Sequence, residues 1–281
     1  MSKAFRAAGI GAMFWLWMSG AAAQAVDPDE IADTLERAKA KGKLTACADP
    51  YDYPYSAQNS NPPGFDVEIM EALAESAGMR LEMYWADTGT RGGMSRALRN
   101  SIMKGRCEVF LGVSDSGDDD QLMGRLTFSD GYMGLGYVLV TQGKASGLKS
   151  LEELKKANIK VGVAMSTPID DYLFTNNIPR DLHLDNRRIM KAMSEDRIDA
   201  AIVWATAIAV AKREYPDRDF KMVDGYVPPP GQRWNLKYIV RKEDKSLIQF
   251  LNKGTKDLLA NGKMKQIVEK YGVPFYPPFS E

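Results

Sequence analysis

The sequence predicts an α/β protein built on an open, mostly parallel sheet with flanking helices. From residue 43 to residue 85, a short apolar segment, a polar loop, an amphipathic helix and an alternating segment follow one another. Apolar residues recur at helical spacing from Ile69 to Ala77, and Leu81 to Trp85 alternate with a period of two. Apolar runs typical of buried strands recur at residues 107–113, 159–165 and 199–204. Ligands bind such sheets beyond the carboxyl ends of the strands, so the loops there are the first candidates for function.

The helices are predicted from residues that favour helix ends. Gly78 and Gly105 stand where a helix C-terminus favours a residue with positive φ. Ser150 and Glu153 form a capping box before LEELKKA, and Pro168 suits the first turn of the next helix. The other predicted helices cover residues 26–42, 94–102, 189–193, 205–215, 247–259 and 264–271. A last short strand is predicted at FKMVD, residues 220–224.

An enzyme is not predicted. The chain has one histidine, His183, in a polar segment typical of a surface side chain. It contains no Gly-x-Ser-x-Gly, Walker or dinucleotide-binding motif, and Cys107 has no histidine near it in sequence. The formal net charge is zero, and no basic stripe marks a surface for nucleic acid. These observations predict a non-catalytic protein without a nucleic-acid partner.

The N-terminus predicts export. Lys3 and Arg6 precede an apolar run from Ala7 to Met18, which is too short to span a bilayer, and small residues follow up to Ala25. This pattern is typical of a secretory signal peptide over residues 1–25, cleaved after Ala25. An uncleaved anchor is the alternative. A cleaved signal predicts a periplasmic protein that is not inserted in the membrane.

Short motifs carry a resemblance to a known family. The first strand ends in Cys-Ala-Asp-Pro, an aromatic-Pro-aromatic-Ser loop follows at Tyr53 to Ser56, and Gly-Phe-Asp-Val-Glu-Ile opens the helix at Gly64. This order resembles the type II periplasmic solute-binding proteins. Cys-Ala-Asp-Pro, the Gly-Arg-Cys ending at Cys107 and the tail YGVPFYPPF further resemble the J-type accessory proteins of bacterial methanol-oxidation clusters. Those proteins are associated with alcohol dehydrogenases that use pyrroloquinoline quinone.

The resemblance implies a fold of two lobes, each an open, mostly parallel sheet flanked by helices. The first lobe is then discontinuous, with residues 26–140 and 232–281, and residues 141–231 form the inserted second lobe. The crossings are expected near Gln142 and Pro229. The implied function is a non-catalytic accessory to a quinoprotein alcohol dehydrogenase. The alternative is the receptor of an ABC transporter for a small polar or carboxylated solute, either amino acid-like or the quinone itself.

Two departures from the family pattern argue against an ordinary amino-acid receptor. Amino-acid-binding members usually carry Thr-x-x-Arg after the strand that corresponds to residues 107–113, whereas this chain has Ser114-Asp115-Ser116-Gly117-Asp118 there. The position that often offers an aspartate to the α-amino group holds Trp204. No cofactor is expected, and pyrroloquinoline quinone would be a ligand rather than a cofactor.

Export also bears on Cys47 and Cys107, because disulfides persist outside the cytoplasm. Cys47 lies in the first strand and Cys107 begins the run CEVFLGV, and in the doubly wound order these two strands are neighbours. A Cys47–Cys107 disulfide is therefore predicted. Two buried thiols are the alternative, because adjacent strands often fail the distance limits of the bond.

The acidic loop formed by Asp115, Asp118, Asp119 and Asp120 is not predicted to bind a metal. Hard cations need six or more oxygen ligands at controlled spacing, and the EF-hand pattern is missing. A solvated loop is expected. Contact with calcium or a lanthanide is the alternative that the resemblance to methanol-oxidation proteins keeps open.

Eight side chains are predicted to line a ligand site, because they lie at strand ends or helix starts: Asp49, Tyr53, Tyr55, Arg91, Ser114, Ser166, Thr167 and Trp204. The aromatic rings offer stacking surfaces, or else form part of the core. Arg91 would clamp a carboxylate, or else lie at the surface. The helix start at Ser166 and Thr167 would hold an anion, or else is a simple cap. Asp49 would accept from a ligand or from loop amides. Together they predict a planar, carboxylated ligand such as pyrroloquinoline quinone.

Overall fold

The computed structural model describes residues 27–115, 122–228 and 231–280. Three predictions fall outside the described residues: the signal peptide at 1–25, the acidic residues Asp118 to Asp120, and Pro229 at the second crossing. None of the helices within the described ranges combines the length and the hydropathy needed to span a bilayer.

Helices and strands alternate along most of the described chain. The helices are α1 (Thr34–Lys41), α2 (Phe65–Ser76), α3 (Gly93–Asn100), α4 (Leu151–Lys156), α5 (Pro168–Thr175), α6 (Asn186–Ser194), α7 (Thr206–Glu214), α8 (Lys245–Ala260) and α9 (Lys263–Lys270). The strands are β1 (Lys43–Ala48), β2 (Arg80–Trp85), β3 (Val109–Ser114), β4 (Leu126–Phe128), β5 (Met133–Thr141), β6 (Val161–Ala164), β7 (Arg180–His183), β8 (Ala200–Trp204) and β9 (Arg233–Arg241).

The strands form two sheets that share β5. The first has the order β2-β1-β3-β9-β5, with β4 also paired to β9, and the second has the order β5-β8-β6-β7. Pairs within β1, β2 and β3 and within β6, β7 and β8 are parallel, whereas β5 and β9 run antiparallel to their neighbours. The predicted α/β fold of two open, mostly parallel sheets flanked by helices is confirmed.

The chain passes from the first sheet to the second inside β5. Residues 133–136 pair with β9, and residues 137–141 pair with β8. The change of partner therefore falls between Gly136 and Tyr137, a few residues before the expected crossing near Gln142. Gly136 has no room for a side chain, because a Cβ there would lie 2.6 Å from Pro228 Cγ. The predicted limits of the two lobes remain a prediction.

The local sequence signals explain most elements. Asp33 caps α1, and the Ser150 hydroxyl accepts from the amide of Glu153 at 3.2 Å, as the capping box predicts. The FKMVD strand prediction is wrong, because within that segment only Met222 forms an isolated bridge, to Val140. β4 and β7 are too short, at three and four residues, to show a period in the sequence.

The predicted disulfide is confirmed. Cys47 in β1 and Cys107, just before β3, are bonded with a Cα–Cα distance of 5.8 Å, and both are fully buried. This distance lies within the usual range for disulfides. The bond fixes the first strand to its parallel neighbour, next to the loop that follows β1.

The C-terminal tail packs along the strands that join the two sheets. The amide of Gly134 donates to the carbonyl of Tyr276 at 2.9 Å, and the amide of Phe279 donates to Asn235 Oδ1 at 2.8 Å. A Cβ at Gly134 would lie 2.6 Å from the Phe279 ring. The glycine in β5 is therefore needed for the close approach of the tail.

Candidate functional site

The ends of β1 and β8 meet between the two sheets. Tyr55, in the loop after β1, accepts a hydrogen bond from the Trp204 indole Nε1 at 2.9 Å, and Trp204 is the last residue of β8. Both side chains are half-buried. Because β1 and β8 belong to different sheets, this contact crosses the cleft between the lobes. Two of the predicted site residues are thus brought together at the carboxyl ends of parallel strands, as that class of sheet leads one to expect.

Tyr55 is held firmly on the side of the first sheet. Its ring packs on Phe65, the first residue of α2, with ring centroids 5.1 Å apart. Burial raises the pKa of the Tyr55 hydroxyl well above its usual value, and the hydrogen bond with Trp204 opposes that effect. The hydroxyl is therefore neutral at physiological pH and can act as both donor and acceptor.

Trp204 belongs to an aromatic cluster on the other side of the cleft. Its ring lies 5.5 Å from that of Tyr137 in β5 and 5.5 Å from that of Trp234 in β9. Burial raises the pKa of Tyr137, whose hydroxyl also shares a hydrogen bond with Thr167. The cluster joins the middle of β5, the end of β8 and the start of β9 to the start of α5. Tyr137 and Trp234 were not predicted as site residues.

A buried carboxyl group lies beneath Tyr55. Asp66, in the first turn of α2, is 1% exposed, and its Oδ1 accepts from the Tyr132 hydroxyl at 2.6 Å. Its Oδ2 is buried without a hydrogen-bond partner. The position where a Cβ would stand on Gly112 lies 2.4 Å from Asp66 Oδ2 and 4.0 Å from Tyr55 Cβ, so the carboxyl group sits beside Tyr55. Burial raises the pKa of Asp66 to about 8, although the bond from Tyr132 opposes this.

A second carboxyl group lies in the same loop as Tyr55. Desolvation, together with the negative charge of Asp49, raises the pKa of Asp52 to about 6. The charge on Asp52 in turn contributes to the raised pKa of Asp66. Within the described residues, neither Asp52 nor Asp66 forms an ion pair with a basic side chain. The segment around Tyr55 therefore carries two carboxyl groups of raised pKa without a basic partner.

Asp49 holds loops together. Its Oδ1 accepts from the amide of Tyr51 at 2.7 Å, and its Oδ2 accepts from the amide of Thr88 at 2.6 Å and from the Thr88 hydroxyl. Of the two roles considered for this residue, acceptance from loop amides is the one observed. Oδ1 is engaged within the loop after β1, and Oδ2 ties that loop to the loop after β2.

Tyr53 and Arg91 do not reach the contact between Tyr55 and Trp204. Tyr53 packs against Tyr271 with ring centroids 6.1 Å apart, and the Arg213 guanidinium lies 4.8 Å above the Tyr53 ring. Arg91 is exposed, and its guanidinium has no hydrogen bond or ion pair among the described residues. The carboxylate clamp expected of Arg91 stays a prediction that no contact supports.

At the start of α5, where the sequence predicts an anion site, two backbone amides already donate to side chains of the same segment. The amide of Ser166 donates to Asp170 Oδ2 at 2.9 Å, and the amide of Asp170 donates to the Thr167 hydroxyl at 3.3 Å. Pro168 provides no amide hydrogen. Thr167 still reaches the cleft through Tyr137, whereas Ser166 is exposed. The cap is the observed role of this pair.

Ser114 and the visible part of the acidic loop lie at the end of β3. Ser114 pairs with Leu236 of β9. Asp115 accepts from the amide of Asn235 at 2.9 Å and forms an ion pair with Lys237 at 3.2 Å. Within the described residues, no group of three or more potential metal ligands comes together.

The sequence gives only weak signals for the site residues that it did not predict. Asp66 follows the usual pattern of an acid in the first turn of a helix, and only the fold reveals its contact with Tyr132, 66 positions away. Trp234 lies at the start of the alternating strand β9, where a core position is the ordinary expectation. Their roles depend on long-range packing.

Two bacterial binding proteins are similar to most of the chain. The chain is 25% identical over 227 residues to the arginine-binding extracellular protein ArtP of Bacillus subtilis, covering 79% of this chain and 81% of that protein. It is 27% identical over 248 residues to a probable histidine-binding protein of Neisseria gonorrhoeae, covering 85% of this chain and 87% of that protein.

Solved structures share the fold. The unliganded, open L-cystine solute receptor of Neisseria gonorrhoeae matches with a TM-score of 0.68 and 20% identity, covering 84% of this chain and 95% of that chain. An ancestral cyclohexadienyl dehydratase matches with a TM-score of 0.65 and 18% identity, covering 86% of this chain and 97% of that chain. The family model for bacterial extracellular solute-binding proteins, family 3, matches residues 44–274. Because this match spans both sheets and the cleft between them, the chain belongs to the bacterial extracellular solute-binding proteins, family 3.

Proposed function

We propose that this protein is a non-catalytic, extracytoplasmic receptor that binds a small polar solute between its lobes and presents it to an ABC permease. One observation carries the proposal: the hydrogen bond between Tyr55 and Trp204 joins strand ends of two different sheets. A solute held at that point contacts both lobes at once, so its binding is coupled to lobe closure. A permease could then distinguish the loaded receptor from the empty one.

The relatives support the same class of function. Two of them are named for the binding of arginine or histidine. Calorimetric titration tests the proposal, with arginine, histidine, cystine and pyrroloquinoline quinone as a first panel. Saturable binding of a small solute, weakened in a Trp204→Ala variant, is the expected result. If no solute in a wide thermal-shift screen stabilises the protein, the receptor proposal fails.

A second candidate is an accessory role in a quinoprotein alcohol dehydrogenase system. The feature that favours it is the C-terminal tail. The tail motif of the J-type proteins, packed here along β5 and β9, is a surface that a partner could use.

The neighbouring genes distinguish the two candidates at low cost. Permease and ATPase genes support the receptor, and dehydrogenase and cytochrome genes support the accessory role. Co-purification of a dehydrogenase, together with no measurable binding of any small molecule, would favour the second candidate. Binding of the planar, carboxylated quinone in the cleft would connect the receptor function to the quinoprotein dehydrogenase system.

A further inference from the structure

We propose that Arg213 is a positioning residue of the receptor: it holds the second lobe against the first and so strengthens the binding of a solute between them. This inference rests on the proposed receptor function and names a residue that controls the same site. It follows from the contacts that α7 makes with the loop after β1 at two points along the helix.

The Arg213 side chain reaches from one lobe to the other. The residue lies near the end of α7, which follows β8 of the second sheet. Its guanidinium lies 4.8 Å from the centre of the Tyr53 ring, and one of its nitrogens donates to the Ser60 hydroxyl at 3.3 Å. Tyr53 and Ser60 both belong to the loop that follows β1 of the first sheet. The arginine therefore connects the two lobes.

A second contact lies at the other end of the same helix. Thr206, the first residue of α7, interacts with the Tyr55 hydroxyl, which also accepts from the Trp204 indole. Thr206 and Arg213 are two turns apart, so they lie on the same face of α7, separated by about 10 Å along its axis. A single contact permits rotation about itself, whereas two contacts at this separation fix the direction of the helix against the loop.

The ring that Arg213 contacts is fixed to the first lobe. Tyr53 packs on Tyr271, with ring centroids 6.1 Å apart. The Tyr271 hydroxyl accepts from the amide of Gly64 at 3.0 Å and donates to Glu68 of α2 at 2.6 Å. Because Tyr271 directly follows α9, these bonds join the ring to two helices. A contact with Tyr53 therefore holds the first lobe as well as the loop.

Arg213 has no acidic partner on its own side. Among the described residues its guanidinium forms no ion pair, and the adjacent Glu214 is engaged with Arg187 of α6 at 2.9 Å. The neighbouring Lys212 also contacts the first lobe, because its Cδ lies 3.3 Å from the position of a Cβ on Gly272. A guanidinium is attracted to the face of an aromatic ring, so the contact with Tyr53 is the main interaction of Arg213.

Holding the lobes together raises the affinity for a solute that contacts both of them. Such a solute binds the closed arrangement, so its observed affinity is the intrinsic affinity multiplied by the fraction of protein in that arrangement. Loss of an exposed cation–π contact should change the equilibrium between closed and open lobes roughly two- to fivefold. In this role Arg213 acts on the solute only through the position of the lobes.

Scattering and calorimetry test the proposal together. Arg213→Met removes the charge and keeps an unbranched chain, and Arg197→Met is the control, because Arg197 pairs with Glu195 within the second lobe at 2.7 Å. Without solute, small-angle X-ray scattering should give a larger radius of gyration for Arg213→Met than for the wild type and the control. Calorimetry with arginine, histidine, cystine and pyrroloquinoline quinone should show roughly two- to fivefold weaker binding by Arg213→Met of any probe that the wild type binds.

A double-mutant cycle identifies the partner of the arginine. If the Tyr53 ring is that partner, Arg213→Met should have little further effect on scattering or affinity in a Tyr53→Leu background. Fully additive effects of the two substitutions would overturn the contact as the source of the coupling.

The remaining outcomes are equally decisive. An unchanged radius of gyration in Arg213→Met overturns the proposal, and weaker binding without that change would mean that Arg213 touches the solute itself. A larger radius with unchanged affinity would mean that the contact does not control the site, which also overturns the positioning role. If the wild type binds no probe and no solute in a thermal-shift screen, the receptor function fails separately, and scattering still decides whether Arg213 holds the lobes.

Discussion

The Trp204 indole donates a hydrogen bond to the Tyr55 hydroxyl across 2.9 Å, and this bond connects the carboxyl ends of strands in two different sheets. It places side chains of the protein where a solute would lie between the lobes. The contact joins the two lobes, and under the proposed function a bound solute replaces it.

Removing the acceptor should loosen this closure. In Tyr55→Phe, the Trp204 indole loses its partner while the ring packing on Phe65 is kept, so the free energy of unfolding should fall by about 0.5–1.5 kcal/mol. Chemical denaturation measures the change, and small-angle X-ray scattering should report a more open particle. Tyr51→Phe is the control, because Tyr51 is 76% exposed. Identical behaviour of the two variants would show that the bond does not hold the lobes.

The disulfide should contribute strongly to stability. Replacing Cys47 and Cys107 together with serine is expected to lower the free energy of unfolding by about 2–5 kcal/mol. The bond joins residues 60 positions apart, which restricts the unfolded chain. Denaturation of the oxidised and reduced wild-type protein provides the matched comparison. A reduced protein as stable as the oxidised one would contradict this expectation.

Asp66 should make stability depend on pH. Its pKa is about 8 in the folded protein, against an ordinary value of 3.8, so the folded state retains a proton that the unfolded chain releases. The contribution of Asp66 to the free energy of unfolding is therefore fully present below pH 3.8 and decreases as the pH rises toward 8. The free energy of unfolding should decrease by roughly 1.4 kcal/mol per pH unit at most.

Asp66→Asn provides the comparison for this dependence. The amide cannot ionise, so the variant should lose less stability than the wild type between pH 4 and 8, as denaturation at a series of pH values would reveal. Asp52, with a pKa of about 6, titrates in the same direction and remains in both proteins. Parallel stability curves for the two proteins would mean that Asp66 is ionised in the fold.

The tail along β5 depends on a glycine. In Gly134→Ala, the new Cβ would meet the Phe279 ring at 2.6 Å and the Pro277 carbonyl oxygen at 2.7 Å, so the tail must move. Stability should fall by about 1–3 kcal/mol, and limited proteolysis should cut the tail faster. Gly89→Ala, in an exposed loop, is the control. Unchanged cleavage of the tail would show that it is not anchored there.

Local patterns were sufficient to predict much of the fold. The spacing from Ile69 to Ala77 predicts α2, and alternation from Leu81 predicts β2, because each pattern matches one buried face. β7 could not be predicted, since a strand of four residues is defined by its pairing with β6 rather than by its own sequence. The FKMVD segment has a strand-like composition but forms a single bridge, between Met222 and Val140 of β5, with one backbone hydrogen bond to β5 on each side of it.

The site could be predicted in part. Tyr55 and Trp204 meet as expected, because parallel strands direct their carboxyl ends to a common edge. Asp66 is not predicted, because its environment depends on Tyr132, far away in the sequence. The sequence does not give the direction of the Arg91 side chain, so its role as a carboxylate clamp stays a prediction. Local sequence patterns do not reveal residues whose partners are distant in the sequence.

The most direct test of the central claim is the tryptophan emission that Trp204 contributes during solute titration. The wild type and Trp204→Phe are titrated in parallel with the solute that binds best in calorimetry. Our account predicts a saturable change in the wild type that Trp204→Phe largely loses, because the solute replaces the contact with Tyr55. The same saturable change in both proteins would mean that the solute binds outside this cleft and would contradict the account.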